Sequence, residues 1–242
     1  MKVIIIAGGL GTRIAEETDD KPKPMVLIND KPIIWHLMNI FAIQGINEFI
    51  ISTGYRSEVI ESWVQDKEIL DTNLNKMHIK TINTGLHTQT GGRISEVMKT
   101  LPTERVIATY GDGLANISIK KLLNFHNSHG KFATVTAVRP PARFGYMKIE
   151  NNKVTHFGEK NQSDEGWING GFFVLEPEVS TYVGSVSEPF ESGALVNLTS
   201  KSQLMAYHHQ GFWQPMDTLR EKLDLEKMSL QSNIPWLDFT EK

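Results

Sequence analysis

The stretch KVIIIAGGLGTR, residues 2–13, decides the fold class that this sequence predicts. Its apolar run, Val3–Ala7, is typical of a strand buried on both faces of a parallel sheet. The run stops at the glycine-rich sequence GGLG, and the hydroxyl of Thr12 and the guanidinium of Arg13 follow. Glycines let backbone N–H groups approach a ligand closely, so this loop suits the phosphates of a nucleoside triphosphate. An ordinary tight turn would account for the glycines, but it does not require Thr12 and Arg13.

Strand and helix patterns alternate along the first 130 residues. We predict strands over Lys2–Ala7, Glu48–Thr53, Met77–Ile82 and Arg105–Tyr110, and helices over Pro32–Gln44, Arg56–Gln65, Gly92–Lys99 and from Ser118 to Gly130. This alternation predicts a parallel sheet with helices on both faces. The glycine-rich loop and the sequence GDG, residues 111–113, both follow strands. We therefore expect them at one edge of the sheet, where open α/β sheets bind their ligands.

The pattern after residue 130 is richer in strands. We predict strands over Ala133–Val138, Tyr146–Glu150, Val154–Phe157 and Trp167–Leu175, a hairpin turn at Asn151-Asn152, and a helix over Thr218–Met228. These later strands are expected to extend the sheet or to lie over its end. The chain is therefore predicted to form a single α/β domain with a mostly parallel sheet.

The composition excludes several classes of function. With 242 residues and a formal net charge of -3, the chain lacks the basic surplus of a sequence-independent DNA-binding protein. It contains no cysteine, which excludes disulfides, zinc–thiolate sites, iron–sulfur clusters and cysteine nucleophiles. No apolar run is long enough to span a membrane, and the first run is too short for the core of a signal peptide. We expect a cytoplasmic protein without nucleic-acid or membrane partners.

Two familiar phosphate-binding motifs do not fit the N-terminal loop. Read from Gly9, the dinucleotide fingerprint G-x-G-x-x-G/A would need a small residue where Ile14 stands, and the P-loop motif does not occur. The prolines of KPKPM, residues 21–25, stiffen that segment, but the segment alone is more typical of a solvated basic loop. His126 and His129 lie three residues apart on a predicted helix, where a surface position is favoured over metal binding.

Eight sequence blocks, spread over nearly the whole chain, resemble those of a known family. They are AGGLGTRIAEET (7–18), KPKPM (21–25), TGGR (90–93), YGDG (110–113), PPARFG (140–145), GEK (158–160), INGGFFVL (168–175) and GFWQPMDTLR (211–220). In this order they resemble the sugar-1-phosphate nucleotidylyltransferases. TGGR together with FWQPMDT is similar to the glucose-1-phosphate cytidylyltransferase branch. The segment between residues 60 and 88 looks shorter than in that branch.

The resemblance implies a fold, a reaction and a division of the chain. The implied fold is the Rossmann-like sheet of the nucleotide-diphospho-sugar transferases. The implied reaction is attack by an oxygen of α-D-glucose 1-phosphate on the α-phosphorus of CTP, with Mg²⁺ as cofactor and pyrophosphate as leaving group. Residues 1–130 would then form the nucleotide-binding part, and 131–242 the sugar-phosphate-binding part with the C-terminal helix. The resemblance also implies a homo-oligomer.

Three groups of site residues follow from the same resemblance. Nucleotide binding is implied for Ala7, Gly8, Gly9, Gly11, Thr12, Arg13, Lys23, Thr88, Gly92, Arg93 and Gly111, with Arg13 and Lys23 as catalytic residues. Sugar-phosphate binding is implied for Gly145, Glu159, Lys160, Asn169 and Gly170, and Mg²⁺ binding for Asp112 and Asp217. Two carboxylates and substrate phosphates supply the hard oxygen ligands that Mg²⁺ prefers. Trp213 either contacts a ligand or only supports Asp217.

Three alternatives remain beside this hypothesis. The same reaction could use UTP, dTTP or another phosphorylated acceptor. A glycosyltransferase with a similar sheet would hold its metal with D-x-D, whereas Leu114 follows Asp112-Gly113 here. A non-catalytic nucleotide-sugar-binding module would be expected to have lost charged residues such as Arg13 and Lys23, which are present.

Overall fold

The central sheet and its helices are those of a computed structural model, which describes residues 1–65, 77–140, 145–150, 152–159 and 166–239. The strands are β1 Lys2–Ile6, β2 Leu27–Ile28, β3 Lys31–Pro32, β4 Glu48–Thr53, β5 His78–Asn83, β6 Val106–Tyr110, β7 Gly113–Ala115, β8 Ala133–Val138, β9 Gly145–Glu150, β10 Lys153–Glu159, β11 Ile168–Asn169, β12 Phe173–Leu175, β13 Leu204–His208 and β14 Trp213–Pro215. The α-helices are α1 Ala15–Thr18, α2 Ile33–Ala42, α3 Ser57–Val64, α4 Thr90–Lys99, α5 Ile119–His129, α6 Ala194–Ser200 and α7 Leu219–Ser229. Among these described helices, each is too short or too polar to cross a membrane.

The main sheet is mixed and mostly parallel. Strand β1 lies between β4 and β6 and is parallel to both, and β5 continues the parallel part beyond β4. Strand β12 is antiparallel to β6 and to β8, and β13 adds a parallel partner to β8. Of the later strands, β8, β11, β12 and β13 therefore extend the sheet, which is one of the two predicted arrangements. The predicted α/β class is confirmed.

Two apolar cores fill the two faces of this sheet. Alternate residues of β1 point to opposite faces, so Val3 and Ile5 join one core and Ile4 and Ile6 join the other. Helices α2, α5 and α7 contribute to the first core, whereas α4 and α6 contribute to the second. Because both faces are covered, β1 can be apolar throughout, which explains the unbroken run in the sequence.

Capping residues mark the ends of two helices, and those of α5 are the ones that the sequence predicts. Ser118 caps α5 by accepting a hydrogen bond from the backbone of Lys121, and Gly130 ends that helix with φ at 63°. Thr218 caps α7 in a reciprocal arrangement, in which the Glu221 carboxylate accepts from the Thr218 backbone at 2.9 Å. These side chains satisfy N–H groups that the first turn of a helix leaves unpaired.

The prediction of one continuous strand over Trp167–Leu175 is wrong. The structure divides it into β11 and β12, which run along the same edge of β8, opposite the edge that β13 occupies. The interruption lies at Gly171 and Phe172, whose φ angles are 76° and 45°. Strand geometry cannot accommodate positive φ, so the ladder breaks between the two halves.

The hairpin of β9 and β10 forms a separate two-stranded antiparallel sheet. Asn152, in the predicted turn, has φ at 63°, a conformation that asparagine tolerates better than most residues. Asn151 lies outside the described residues. This pair of strands does not continue the main sheet, in contrast to β8, β11, β12 and β13.

His126 is a buried residue, so the expected surface position for it is wrong. It is 1% exposed, its Nδ1 lies 2.8 Å from the hydroxyl of Thr134, and its Nε2 lies 3.1 Å from the Glu176 carboxylate. His129 lies 2.8 Å from the same hydroxyl. The helix face that carries Ile119 and Leu122 also carries His126, and a hydrogen-bonding hydroxyl on β8 makes that burial tolerable.

We expect the protein to lose stability as the pH falls below about 6.5. Burial lowers the pKa of His36, His126, His129 and His209 in the folded chain. The unfolded chain therefore takes up protons first, and folding stability is complete above the unfolded pKa and decreases below it. Urea denaturation at a series of pH values measures this. A midpoint that stays constant from about pH 7.5 to pH 5 would contradict the assignment.

Candidate active site

A cavity of about 1000 Å³ opens at the carboxyl ends of β1 and β6. This is the sheet edge where the sequence placed the glycine-rich loop and the GDG turn. Residues from at least four distant segments line it. Those with a predicted role are Ala7, Gly9, Gly11, Thr12, Arg13, Lys23, Thr88, Arg93, Gly111, Asp112, Asn169, Gly170 and Asp217. The size is typical of a site for a small-molecule ligand.

The glycine-rich loop leaves β1 along the neighbouring strand β4. The N–H of Ala7 donates to the carbonyl of Ser52 at 2.9 Å, and the carbonyl of Gly8 accepts from the backbone of Tyr55 at 3.2 Å. Gly11 has φ at 67°, which strains any residue with a side chain, and a single 3-10 turn over Thr12–Ile14 follows. This turn leaves the Arg13 side chain at the cavity, 75% exposed.

Four charged side chains meet in this cavity. The ammonium Nζ of Lys23 lies 2.5 Å from Oδ2 of Asp112 and 2.7 Å from Oδ1 of Asp217. Nη1 of Arg13 lies 2.8 Å from the other oxygen of Asp217. Burial alone would lower the pKa of Lys23, but the two carboxylates outweigh it and raise that pKa above its ordinary value of 10.5. Lys23 is therefore a charged ammonium that joins two carboxylates.

A short ladder between β7 and β14 brings the two carboxylates together. Gly113 pairs with Pro215, and the N–H of Met216 donates to the carbonyl of Asp112 at 2.9 Å. The N–H of Asp217 then donates to the carboxylate of Glu221, the residue that also caps α7. Asp112 and Asp217 thus lie at the same end of one pair of strands.

Lys23 reaches the carboxylates because its loop packs against a glycine. Lys23 begins a 3-10 turn that includes Pro24, and a Cβ on Gly111 would lie 2.9 Å from Cγ of Pro24 and 2.9 Å from the carbonyl oxygen of Ile6. Under 3.0 Å such contacts force a displacement. The glycine before Asp112 therefore permits the close approach of the lysine loop and the end of β1.

Arg93 is a buried residue whose guanidinium stabilises the wall of the cavity through hydrogen bonds. It is 2% exposed, and its guanidinium donates to the carbonyls of Gly8 and Thr53 at 2.8 and 2.9 Å and to the Thr84 hydroxyl at 2.7 Å. Burial lowers the pKa of Arg93. The hydroxyl of Thr88 donates to the carbonyl of Thr84. These contacts tie β4, β5 and the glycine-rich loop together, and the role of Arg93 and Thr88 at a nucleotide base stays a prediction.

Two of the predicted nucleotide-binding residues, Gly8 and Gly92, do not line the cavity. Gly8 packs against Arg93, and Gly92 packs inside α4, where a Cβ would lie 2.3 Å from the carbonyl oxygen of Val186. Gly145 and Glu159 are paired residues at the open end of the β9–β10 hairpin. Lys160 lies outside the described residues. Their ligand-binding roles stay predictions.

The structure also adds cavity residues that sequence reasoning missed. The Tyr110 hydroxyl donates to the Glu191 carboxylate, and Thr90 donates to the same carboxylate at 2.7 Å. Asn169 donates to the Tyr110 oxygen at 2.9 Å. Burial, helped by the charge of Glu191, raises the pKa of Tyr110. Tyr110 immediately precedes the GDG turn and could have been suspected, whereas no local pattern marks Glu191.

Trp213 supports the cavity wall through its indole nitrogen. Its Nε1 donates to the carbonyl of Gly170 at 2.9 Å, which joins β14 to the interruption between β11 and β12. A Cβ on Gly170 would lie 2.5 Å from Cγ1 of Val138, so close packing on β8 requires glycine there. Trp213 also lines the cavity. The indole hydrogen bond is to Gly170, and both roles considered for Trp213 from the sequence, contact with a ligand and support of Asp217, stay predictions.

The arrangement suits the binding of a polyanion together with a hard cation. The described residues contain no group of three or more His, Asp or Glu side chains that could hold a metal alone. Two carboxylate oxygens nevertheless converge on one cationic nitrogen, and phosphate oxygens can complete the shell of Mg²⁺. By this criterion the residues fit a divalent cation.

Comparison with known proteins gives the family. The model of the nucleotidyl transferase family matches residues 2–226. Glucose-1-phosphate cytidylyltransferase of Salmonella typhi is 41% identical over 253 residues, covering 98% of each chain. D-glycero-alpha-D-manno-heptose 1-phosphate guanylyltransferase of Aneurinibacillus thermoaerophilus is 31% identical, covering 78% of this chain and 80% of its own.

The fold is similar to that of solved nucleotide-sugar enzymes. UDP-glucose pyrophosphorylase complexed with UDP-glucose superposes with a TM-score of 0.72 at 16% identity, over 96% of this chain and 99% of that chain. At such low identity the likeness concerns the fold alone. The family match over most of the chain and the relative that is 41% identical lead to one conclusion. This chain belongs to the nucleotidyl transferase family.

Proposed function

We propose that this protein transfers a cytidylyl group from CTP to α-D-glucose 1-phosphate, forming CDP-glucose and releasing pyrophosphate. The observation that carries a phosphoryl-type transfer is the meeting of Arg13, Lys23, Asp112 and Asp217 beside a glycine-rich loop in one cavity. The choice of CTP and glucose 1-phosphate is supported by the cytidylyltransferase that is 41% identical over nearly the full length.

The proposed reaction requires the protein to align two anionic substrates and to stabilise the negative charge on their phosphates. An oxygen of the sugar phosphate attacks the α-phosphorus, the bond to the pyrophosphate oxygen breaks, and pyrophosphate leaves. Backbone N–H groups of the glycine-rich loop would hold the triphosphate, and the forked donor of Arg13 suits its outer phosphates. Lys23 would neutralise charge near the reacting phosphorus.

Asp112 and Asp217 would hold the Mg²⁺ that we propose as cofactor. Bound there, Mg²⁺ would supply a fixed positive charge against the triphosphate oxygens. The two aspartates contribute the hard anionic oxygens, and Glu221 orients Asp217 through its backbone N–H. Arg13 keeps the remaining oxygen of Asp217 in place through a contact of 2.8 Å.

The sugar phosphate would lie toward the β11 end of the cavity. Asn169 and Gly170 line that end, and Gly145, Glu159 and Lys160 are assigned to it by the sequence resemblance. The carboxylate of Glu159 would accept hydrogen bonds from the sugar hydroxyls, and the ammonium of Lys160 would bind the phosphate. Residues 1–130 would thus bind the nucleotide and residues 131–242 the sugar phosphate. Asp217 belongs to the second part but would act together with Asp112 of the first.

Lys160→Ala is expected to raise the KM for glucose 1-phosphate by about tenfold or more, since it removes a charge-assisted contact to phosphate. The KM for CTP should change much less. Steady-state assays that vary each substrate in turn measure both constants. Lys153→Ala, at the start of β10, serves as the control and should leave both near the parent values. An equal rise in both constants would contradict the division of the site.

A matrix of nucleotides and sugar phosphates tests the proposed reaction. Pyrophosphate release is measured with CTP, UTP, dTTP, GTP and ATP, each paired with glucose 1-phosphate, mannose 1-phosphate and galactose 1-phosphate in the presence of Mg²⁺. We expect the highest kcat/KM for CTP with glucose 1-phosphate. A clear preference for another pair would replace the proposed substrates while keeping the reaction, and release with none of them would favour a non-catalytic binding module.

We also propose a homo-oligomer, as the family resemblance implies, and a cytoplasmic location, as expected from the composition of the sequence. Light scattering on the purified protein tests the first part, because a mass of 27.3 kDa would identify a monomer. Fractionation of the source cells tests the second part.

A further inference from the structure

The cation between the two aspartates is already supplied by the protein itself. Lys23 is 8% exposed, and two of its three N–H donors are directed at Asp112 and Asp217, at 2.5 and 2.7 Å. Arg13 contributes a second positive charge at 2.8 Å from Asp217. The formal charges of these four side chains cancel. The space between the carboxylates is therefore occupied, and their negative charge is balanced by Lys23 and Arg13.

A free divalent cation would gain little by entering this arrangement. To bind both carboxylates it would have to displace the Lys23 ammonium, which is nine-tenths buried and would lose its two carboxylate contacts. A buried charge that loses its partners costs far more than an exposed one. The ion would also approach a group whose charge is already balanced. Free Mg²⁺ alone should therefore bind weakly.

A polyanion changes this balance because it offers the ammonium another partner. Lys23 lies between Pro22 and Pro24, and Pro24 packs against Gly111, so the loop does not have to move. Its four-carbon side chain can rotate from the carboxylates to phosphate oxygens in the same cavity, which Lys23 lines. Once the ammonium has moved, it no longer balances the negative charge of the two carboxylates, which can then accept a divalent cation.

Lys21 provides an internal comparison. It lies two residues before Lys23 in the same proline-stiffened segment, and its ammonium lies 3.7 Å from Asp20, a carboxylate that is 82% exposed. Exposed pairs of this kind contribute little. The two lysines therefore have similar local sequences, but only the ammonium of Lys23 lies between Asp112 and Asp217.

We propose that Lys23 is an internal counter-ion that keeps the Asp112–Asp217 pair closed to a free divalent cation until a nucleoside triphosphate draws its ammonium away. This inference rests on the proposed function, since it takes the same two aspartates as the cation-holding residues. It assigns to Lys23 a positioning role before the reaction, in addition to its role at the phosphates. It also makes entry of the cation dependent on entry of the nucleotide.

The experiment is Mn²⁺ binding to the nucleotide-free protein, followed by the electron paramagnetic resonance signal of free Mn²⁺. We expect weak binding by the parent and at least about tenfold tighter binding by Lys23→Met, because a neutral side chain of similar length removes the ammonium that lies between the two carboxylates, while Arg13 keeps its contact with Asp217. Lys23→Arg keeps the positive charge and should stay weak. The matched variant Lys21→Met should equal the parent, and Lys23→Met combined with Asp112→Asn should return to weak binding.

The Mn²⁺ affinities of the variants decide whether Lys23 acts as the counter-ion. Thermal unfolding confirms that the variants are folded, and Lys23→Gln replaces Lys23→Met if the latter is not. Equal Mn²⁺ affinity in the parent and in the neutral variants would overturn the inference. So would tighter binding in Lys23→Met that persists after Asp112→Asn is added, because the ion would then lie elsewhere. Pyrophosphate release by the parent tests the proposed function separately, and an active parent that binds Mn²⁺ tightly without nucleotide would refute only the counter-ion role.

Discussion

Asp112→Asn and Asp217→Asn are each expected to lower the rate of pyrophosphate release from CTP and glucose 1-phosphate by about two to three orders of magnitude. Each change removes one of the two anionic oxygens that converge on a single cation position. Asparagine has nearly the same shape, and both side chains are partly exposed, so the fold should be preserved. Steady-state kinetics at saturating Mg²⁺ measure the loss, and circular dichroism monitors the fold.

Asp20→Asn is the matched control for these two variants. Asp20 and Asp112 each pair with a lysine, but Asp20 is exposed, its carboxylate lies 3.7 Å from the ammonium of Lys21, and it does not line the cavity. We expect turnover near the parent rate, since exposed ion pairs contribute little. If Asp112→Asn and Asp217→Asn also turned over at near-parent rates, the assignment of the cation to these residues would be wrong.

Gly8→Ala is expected to destabilise the protein by about 3 kcal/mol or more and to abolish most of the activity. A Cβ at this position would lie 2.0 Å from Nη1 and 2.3 Å from Cζ of Arg93, which is far inside van der Waals contact. The buried guanidinium would have to leave the carbonyl of Thr53, a hydrogen bond of 2.9 Å. Since Arg93 also holds the carbonyl of Gly8 itself, the glycine-rich loop would lose its attachment.

Gly9→Ala provides the comparison for Gly8→Ala. A Cβ on Gly9 meets no heavy atom within 4 Å, and the residue is exposed at the cavity. We expect its free energy of unfolding to stay within about 1 kcal/mol of the parent value, with any effect limited to the KM for CTP. Urea denaturation measures both variants. Equal stability of the two would show that Arg93 does not depend on the absence of a side chain at Gly8.

Much of the fold could be predicted because its signals are local. The periodicity of Ile33, Leu37 and Phe41 lies within one helix, and the capping residues Ser118 and Thr218 act on N–H groups within three residues of themselves. The interruption at Gly171 was missed because the apolar residues around it continue the strand pattern. Only its positive φ and the packing of Gly170 against Val138 show that the ladder stops.

The candidate site also has features that the sequence predicted and features that it did not. The sequence predicted which residue types would bind phosphate, and the cavity brings most of them together. It could not predict that Glu191 accepts hydrogen bonds from Tyr110 and Thr90, because these three residues come from separate segments. It also did not predict that Arg93 donates to the carbonyl of Gly8, a contact that spans 85 positions.

The sequence by itself determined the alternation of the main strands and helices and the blocks that resemble the family, because capping, glycine conformation and apolar periodicity act over a few neighbouring residues. Only the tertiary structure decided that Lys23 stands between Asp112 and Asp217, which lie 89 and 194 positions away in the chain. That position depends on the pairing of β7 with β14 and on the packing of Pro24 against Gly111. Such contacts follow from the summed packing of the whole domain, so no local pattern encodes them.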